Sequence, residues 1–194
     1  MLDAKVKELI NTQINQEFYS EYLYLAFANY FYDNGLDGFA NWYDVQAQEE
    51  RDHAMLMRTY LHNNGERVTF SAVAEPQNDF DSIKAVLKAG LAHEQYVTSL
   101  INKIYQAADP LNVAADHERY VTGLINNIYD AAYSVKDFRT MQFLDWFVKE
   151  QGEEEKNADD LIKKYKMFGS DAKGLYALNQ ELLARTYVAP TLVL

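Results

Sequence analysis

Apolar and aromatic residues recur near the start of the chain at Val6, Leu9, Ile10, Ile14, Phe18, Tyr22, Leu25 and Tyr30, at spacings of three, four or a whole number of turns. That period predicts one long amphipathic helix over 4–33, stopped by Asp33-Asn34-Gly35. Trp42, Val45, Ala54, Leu56 and Leu61 continue the pattern after only a few residues. They predict a helix over 37–64, opened by Asp37 as an acceptor for first-turn amides and closed by Asn63-Asn64-Gly65. Two helices joined so tightly must run antiparallel. Residues 66–80, with Pro76 and an alternating Val68–Phe70 piece, form a long connection. At about 3.3 Å per residue it can cross the full length of a helix, so the next pair need not follow up-down order.

After Asp81 a third helix is expected on Ile83, Leu87, Leu91, Tyr96 or Val97, Leu100, Ile101 and Ile104. A fourth over 137–167 carries Phe143, Leu144, Trp146, Phe147, Val148, Leu161 and Ile162. Gly169-Ser170-Asp171 ends that helix and caps a short last one over 172–185, with Leu175, Leu178, Leu182 and Leu183. The tail beyond Tyr187 is apolar and unpatterned. The expectation is an all-α chain, one domain over 1–194.

Within this plan the chain repeats itself. Residues 93–108 and 117–132 differ only at Gln95/Arg119, Ser99/Gly123, Lys103/Asn127 and Gln106/Asp130, leaving 12 of 16 positions identical at an offset of 24. Two copies are too few for a solenoid, so this is a local tandem duplication. Asp109-Pro110 between them reads as N-cap and first helical residue, which predicts one extra inserted helix.

Composition narrows the chemistry. The chain has 194 residues, 48% of them hydrophobic, with three prolines and eight glycines, enough to bury a sizeable core of long helices. Without cysteine there are no disulfides, thiolate catalysis or sulfur-held metal clusters. A formal charge of −11 argues against nucleic acid and for cations. No apolar run reaches membrane-spanning length and the N-terminus lacks a signal-peptide core, so a cytoplasmic location is the expectation.

The stretch 47–53, Ala-Gln-Glu-Glu-Arg-Asp-His, then stands out. Glu50 and His53 lie one helical turn apart on one face, and a carboxylate oxygen with an imidazole nitrogen suits iron, manganese or zinc. Alone, Glu-x-x-His is weak, since acidic helices produce it by chance. But Glu17 interrupts the apolar side of the first helix, with Tyr24 two turns on. Glu94, or its copy Glu118, falls on the third helix, and Glu154, with Gln151 or Glu150 beside it, follows an apolar segment of the fourth. Four helices each present a carboxylate near mid-length. Buried unpaired carboxylates are too costly to gather by accident, and a metal pair explains them together.

The segments Gln16-Glu17-Phe18-Tyr19-Ser20-Glu21-Tyr22-Leu23-Tyr24, Gln48-Glu49-Glu50-Arg51-Asp52-His53-Ala54, His93-Glu94 and Trp146-Phe147-Val148-Lys149-Glu150-Gln151-Gly152-Glu153-Glu154-Glu155 resemble the non-haem ferritins of bacteria. The resemblance implies a ferritin-like four-helix bundle with a long crossover and a short fifth helix. It implies a ferroxidase and iron store, taking Fe(II) with O2 or peroxide and keeping ferric mineral in a homo-oligomeric cage of 24 subunits. By position, Glu17, Glu50 and His53 would hold one iron, and Glu50 would bridge to a second held by Glu94 and Glu154 with Gln151 beside it. Glu49, Glu150 and Glu153 would form a third, weaker site, and Tyr24 the neighbouring phenol. Arg51 stands where bacterioferritins place a haem-ligating Met, so haem is not expected. A diiron oxidase acting on an organic substrate, and a non-catalytic acidic helical assembly protein, are the competing readings.

The duplication complicates the transfer. Either Glu94 or Glu118 could supply the third-helix ligand, and the reading favours Glu94 because its link to the second helix is undisturbed. The insertion falls near the turn that lines the threefold channel of ferritins. The chemistry is therefore expected to survive better than the 24-subunit assembly.

Overall fold

The computed structural model describes residues 2–107 and 138–192, which form five helices and, among those residues, no strand. They are α1 (Ala4–Asp33), α2 (Asp37–Asn63), α3 (Ile83–Ala107), α4 (Phe138–Phe168) and α5 (Ala172–Leu182). The second repeat copy with Glu118, and the extra helix expected after Asp109-Pro110, lie outside the described residues.

Local chemistry sets most of the boundaries. Asp3 caps α1, its carboxylate accepting from the amides of Lys5 and Val6. Gly35 turns the chain out of α1 at φ 68°, and Gly65 out of α2 at φ 73°, both in the left-handed region that favours glycine. Asp171 caps α5 through the amides of Lys173 and Gly174. The start of α2 is a correction. Asp37 is its first helical residue, Leu36 is the N-cap, and no side chain of the turn closes it. The amides of Gly38 and Phe39 are instead taken by Asn179 Oδ1 of α5, at 2.8 and 3.3 Å. An isolated helix start would need its own cap; this one borrows its acceptor from the far end of the chain.

The core divides into two apolar clusters. One joins Val6, Ile10 and Ile14 of α1 to Met57 and Leu61 of α2, Val97 and Ile101 of α3, and Phe143 and Leu144 of α4. The other joins Phe27 and Phe31 to Phe39 and Tyr43, Val86 and Leu87, Leu161 and Ile162, and Leu178 and Leu182 of α5. The start of α1 therefore lies with the end of α2, the end of α3 and the start of α4. So α1 and α4 run one way, α2 and α3 the other, and the connection between α2 and α3 must travel the length of the bundle.

It does so along α1. Asn11 clasps the Thr69 backbone from both sides, Asn11 Nδ2 donating to Thr69 O at 2.8 Å and Thr69 N donating to Asn11 Oδ1 at 3.0 Å. Further on, Phe70 meets the edge of Phe18, and Phe80 meets Phe27. The Val68–Phe70 piece forms no strand, because its backbone is held by side chains and finds no second strand.

Two residues placed in the α1 stripe are not buried: Tyr22 is 52% exposed and Leu25 38%. With Asn11, Asn15 and Phe18 they form a second stripe turned away from the bundle axis, whose first half the crossover covers. On α3, Val97 is the buried member of the Tyr96–Val97 pair.

A Cβ built on Gly38 would stand 1.7 Å from the Asn179 carbonyl oxygen, backbone that cannot move without lifting α5. Gly38→Ala is therefore expected to lower stability by about 1–3 kcal/mol through overpacking. Asn179→Ala, which removes the borrowed cap, should cost about 1–2 kcal/mol. Thermal unfolding of both variants, with no loss in either, would contradict this joint.

Candidate metal centre

Between the two apolar clusters lies a polar belt. Glu17 follows Ile14, Glu50 and His53 separate Ala47 from Ala54, Glu94 separates Leu87 from Val97, and Gln151 and Glu154 separate Phe147 from Leu161. Each helix thus interrupts its apolar face once, at the same level. All six side chains are buried, none more than 6% exposed.

Ligand atoms of Glu17, Glu50 and His53 lie within 4.8 Å of one another, and so do those of Glu50, Glu94 and Glu154. Glu50 belongs to both groups. His53 Nδ1 stands 3.5 Å from Glu50 Oε2, and His53 Nε2 stands 3.9 Å from Glu154 Oε1. Of the two expected candidates on the third helix, Glu94 stands in the belt, while Glu118 lies outside the described residues.

Amides hold each carboxylate by one side. Gln13 Nε2 donates to Glu17 Oε1 at 2.9 Å, and Gln151 Nε2 donates to Glu94 Oε2 at 2.7 Å. Gln46 Nε2 reaches Glu50 Oε1 at 3.4 Å and Glu154 Oε1 at 3.3 Å. The Tyr24 hydroxyl donates to Glu94 Oε1. Two buried oxygens, Glu17 Oε2 and Glu154 Oε2, have no hydrogen-bond partner. Burial raises the pKa of all four carboxyls, and repulsion from Glu94 and Glu17 adds to the rise at Glu50, as repulsion from Glu50 and Glu94 does at Glu154. Burial, then Glu94, pushes the Tyr24 phenol far above its ordinary value, so it is a neutral donor. Unpartnered carboxylate oxygens beside an imidazole are the donor set of a hard-to-borderline divalent cation.

The outer acidic residues behave differently. Glu150 groups with His53 and Glu154. Glu49 is bound by Arg185 at 2.6 Å, and the exposed Glu153 pairs with Lys149 at 3.5 Å. Glu49, Glu150 and Glu153 are not brought together as a group of their own.

Sequence reasoning placed Gln151 at the site but missed the other two amides, Gln13 and Gln46. Gln stands four residues before Glu17 and four before Glu50, one turn back on the same face, and that repeated Gln-x-x-x-Glu spacing was a usable signal. His93 also went unassigned. Its Nε2 lies 2.8 Å from Ser20 Oγ, and burial lowers its pKa to about 4, so it stays neutral beside the belt.

A bundle with crossover and a buried carboxylate–imidazole belt defines a class of helical metal-binding proteins. Residues 7–112 and 107–168 match the family described as ferritin-like domain, the two pieces meeting between the repeat copies, and the chain belongs to the ferritin family. It is 35% identical to a bacterial non-heme ferritin of Staphylococcus saprophyticus over 96% of this chain and 98% of that one. It is 33% identical to one of Campylobacter jejuni over 93% of each. Among solved structures, an open-pore ferritin of the archaeon Archaeoglobus fulgidus is similar at a TM-score of 0.80 and 38% identity, over 96% of this chain and all of that one.

The raised carboxyls make the metal-free protein pH-sensitive. Glu50 binds its proton more tightly in the fold than in the unfolded chain, where the ordinary value is 4.5. Its contribution is full below that value and is lost as pH rises through the raised folded value. In chelator, Glu50→Gln should exceed the wild type in stability at pH 8, where the raised Glu50 carboxyl of the wild type gives up its proton at a cost to the fold. The gap should close towards pH 5. Melting curves showing a gap independent of pH would contradict this.

Proposed function

We propose that the chain is an iron-storage protein with ferroxidase activity, oxidising Fe(II) with O2 or peroxide and keeping the ferric product as mineral inside a homo-oligomeric cage. The observation that carries this reading is the pair of three-ligand groups sharing Glu50, with two carboxylate oxygens left unpartnered in the core. The relatives named as non-heme ferritins support iron as the cation.

In this reading Glu17, Glu50 and His53 receive one Fe(II), and Glu50, Glu94 and Glu154 the other. Gln151 and Tyr24 hold Glu94 from opposite oxygens. Cation binding displaces the protons that burial keeps on the carboxyls. Two Fe(II) each give up one electron, and O2 takes both with two protons to become hydrogen peroxide. Peroxide can take two more electrons and two protons to become water. Carboxylate oxygens favour the harder Fe(III) product, and their freedom to bind through one oxygen or two lets it leave.

Assembly is supported by the uncovered half of the second α1 stripe, Tyr22 and Leu25, which continues from Phe18, itself in contact with the exposed Phe70 of the crossover. Contiguous exposed apolar side chains of this kind mark protein contacts. The extra residues enter between α3 and α4 in sequence, so the chemistry is expected to survive better than the 24-subunit assembly.

Metal-free protein given Fe(II) in air should oxidise it rapidly and keep a soluble ferric core. Glu50→Ala and His53→Ala should each slow the initial rate by at least about tenfold, since losing even an outer-shell partner of a metal ligand costs about that much. Glu94→Ala should match them, while Glu118→Ala keeps the wild-type rate. A wild-type rate no faster than buffer would sink the reading, and equal losses in both of the last two variants would sink the assignment to Glu94.

Light scattering should show an oligomer for the wild type and a smaller species for Tyr22→Glu. A monomeric wild type would remove the cage from the proposal.

A further inference from the structure

Arg185, three residues beyond α5, is held in place from several sides. Asn41 Nδ2 donates to the carbonyls of Leu182 at 3.2 Å and Arg185 at 3.0 Å, fixing the backbone. The guanidinium stacks over Trp42, 4.4 Å from the ring centre, and its Nη1 donates to the Trp42 carbonyl at 2.9 Å. Its Nη2 donates to Gln46 Oε1 at 3.1 Å and to Glu49 Oε2 at 2.6 Å. Farther along the tail, the Tyr187 hydroxyl donates to Asp52 and Leu192 packs on the first apolar cluster. The C-terminal segment thus runs along α2 past the metal centre.

Glu49 is therefore a mostly buried carboxylate already matched to a cation, and that cation belongs to the chain. Next to it, Glu150 stands with His53 and Glu154 in a ligand group that Glu49 does not join. Arg185 also accounts for the orientation of Gln46. With Oε1 taken by the guanidinium, the amide can only turn its Nε2 toward Glu50 and Glu154.

We propose that Arg185 is a positioning residue that acts as an internal cation at Glu49, so that the C-terminal segment sets how many metal ions each subunit holds beside His53. The proposal rests on the metal centre described above, and concerns the ion next to it. While the guanidinium occupies Glu49, the outer position lacks a ligand; when it withdraws, Glu49 becomes available to a cation shared with Glu150. One positive charge replaces another, so the exchange leaves no bare carboxylate at either stage.

The test titrates the metal-free, full-length protein with Zn(II), a redox-inert ion suited to oxygen and nitrogen ligands, and reads the number bound per subunit by calorimetry. The wild type is expected to bind two ions tightly. Arg185→Gln should bind a third, or bind it roughly tenfold or more tightly, the scale of one lost charge-assisted hydrogen bond. Arg185→Lys keeps the charge and should stay at two. Adding Glu49→Gln to Arg185→Gln should return the count to two. Two ions in both the wild type and Arg185→Gln overturn the proposal and leave the metal centre standing. A third ion that appears equally in Arg185→Lys also overturns it, because release of the segment rather than its charge would then be the cause. Zero ions in every protein would remove the metal centre itself, and the proposal with it.

Discussion

Four carboxyl groups share one low-dielectric belt, and the rest of the structure answers to that. Each is buried, each would repel the others if ionised, and among the described residues the only basic side chain among them is His53. Burying such charges unpaired costs several kcal/mol apiece, even after relaxation. The apolar clusters on either side supply the stability that lets the bundle carry this strain, and they also keep water from relieving it. The fold is consequently most comfortable in either of two states: protons on the carboxyls, or cations between them.

The neutral side chains around the belt shape which of those states fits. Gln13, Gln46 and Gln151 are amides, so they hold a carboxylate by one oxygen without contributing a charge that would take the place of a cation. The Tyr24 phenol does the same at Glu94. A lysine or arginine in any of these places would neutralise the site permanently. The free oxygens, Glu17 Oε2 and Glu154 Oε2, are what remains after each amide has been satisfied. Arg185 does meet a carboxylate as a full cation, but at Glu49, one residue outside the belt and 25% exposed at its side chain.

Much of this was legible in the chain because it depends on local spacing. Helix ends follow from Gly35, Gly65 and Asp171, whose roles need only their neighbours. Glu50 and His53 declare themselves by a three-residue step, and Glu17, Glu94 and Glu154 by interrupting apolar stripes. What escaped depends on segments far apart in sequence. Asn179 caps α2 across more than half the chain, and Arg185 reaches Gln46 and Glu49 the same way; neither has a periodic signature. Tyr22 and Leu25 show a different limit. A helical period says that a side chain shares a face, and the packing of neighbours decides whether that face is the buried one.

The position of the belt explains how it can coexist with a duplicated segment. Glu94 precedes the end of α3 by 13 residues, roughly 20 Å at about 1.5 Å per residue. Within that length Val97, Ile101 and Ile104 pack in one cluster with Phe143, Leu144 and Phe147 of α4. Close-packed side chains fix the register of two helices, since a slide of one turn would empty some contacts and overfill others. That contact lies between the belt and the joint where the extra residues enter. The register of Glu94 with Gln151 is therefore set within the first repeat copy, by contacts that lie between the belt and the end of α3.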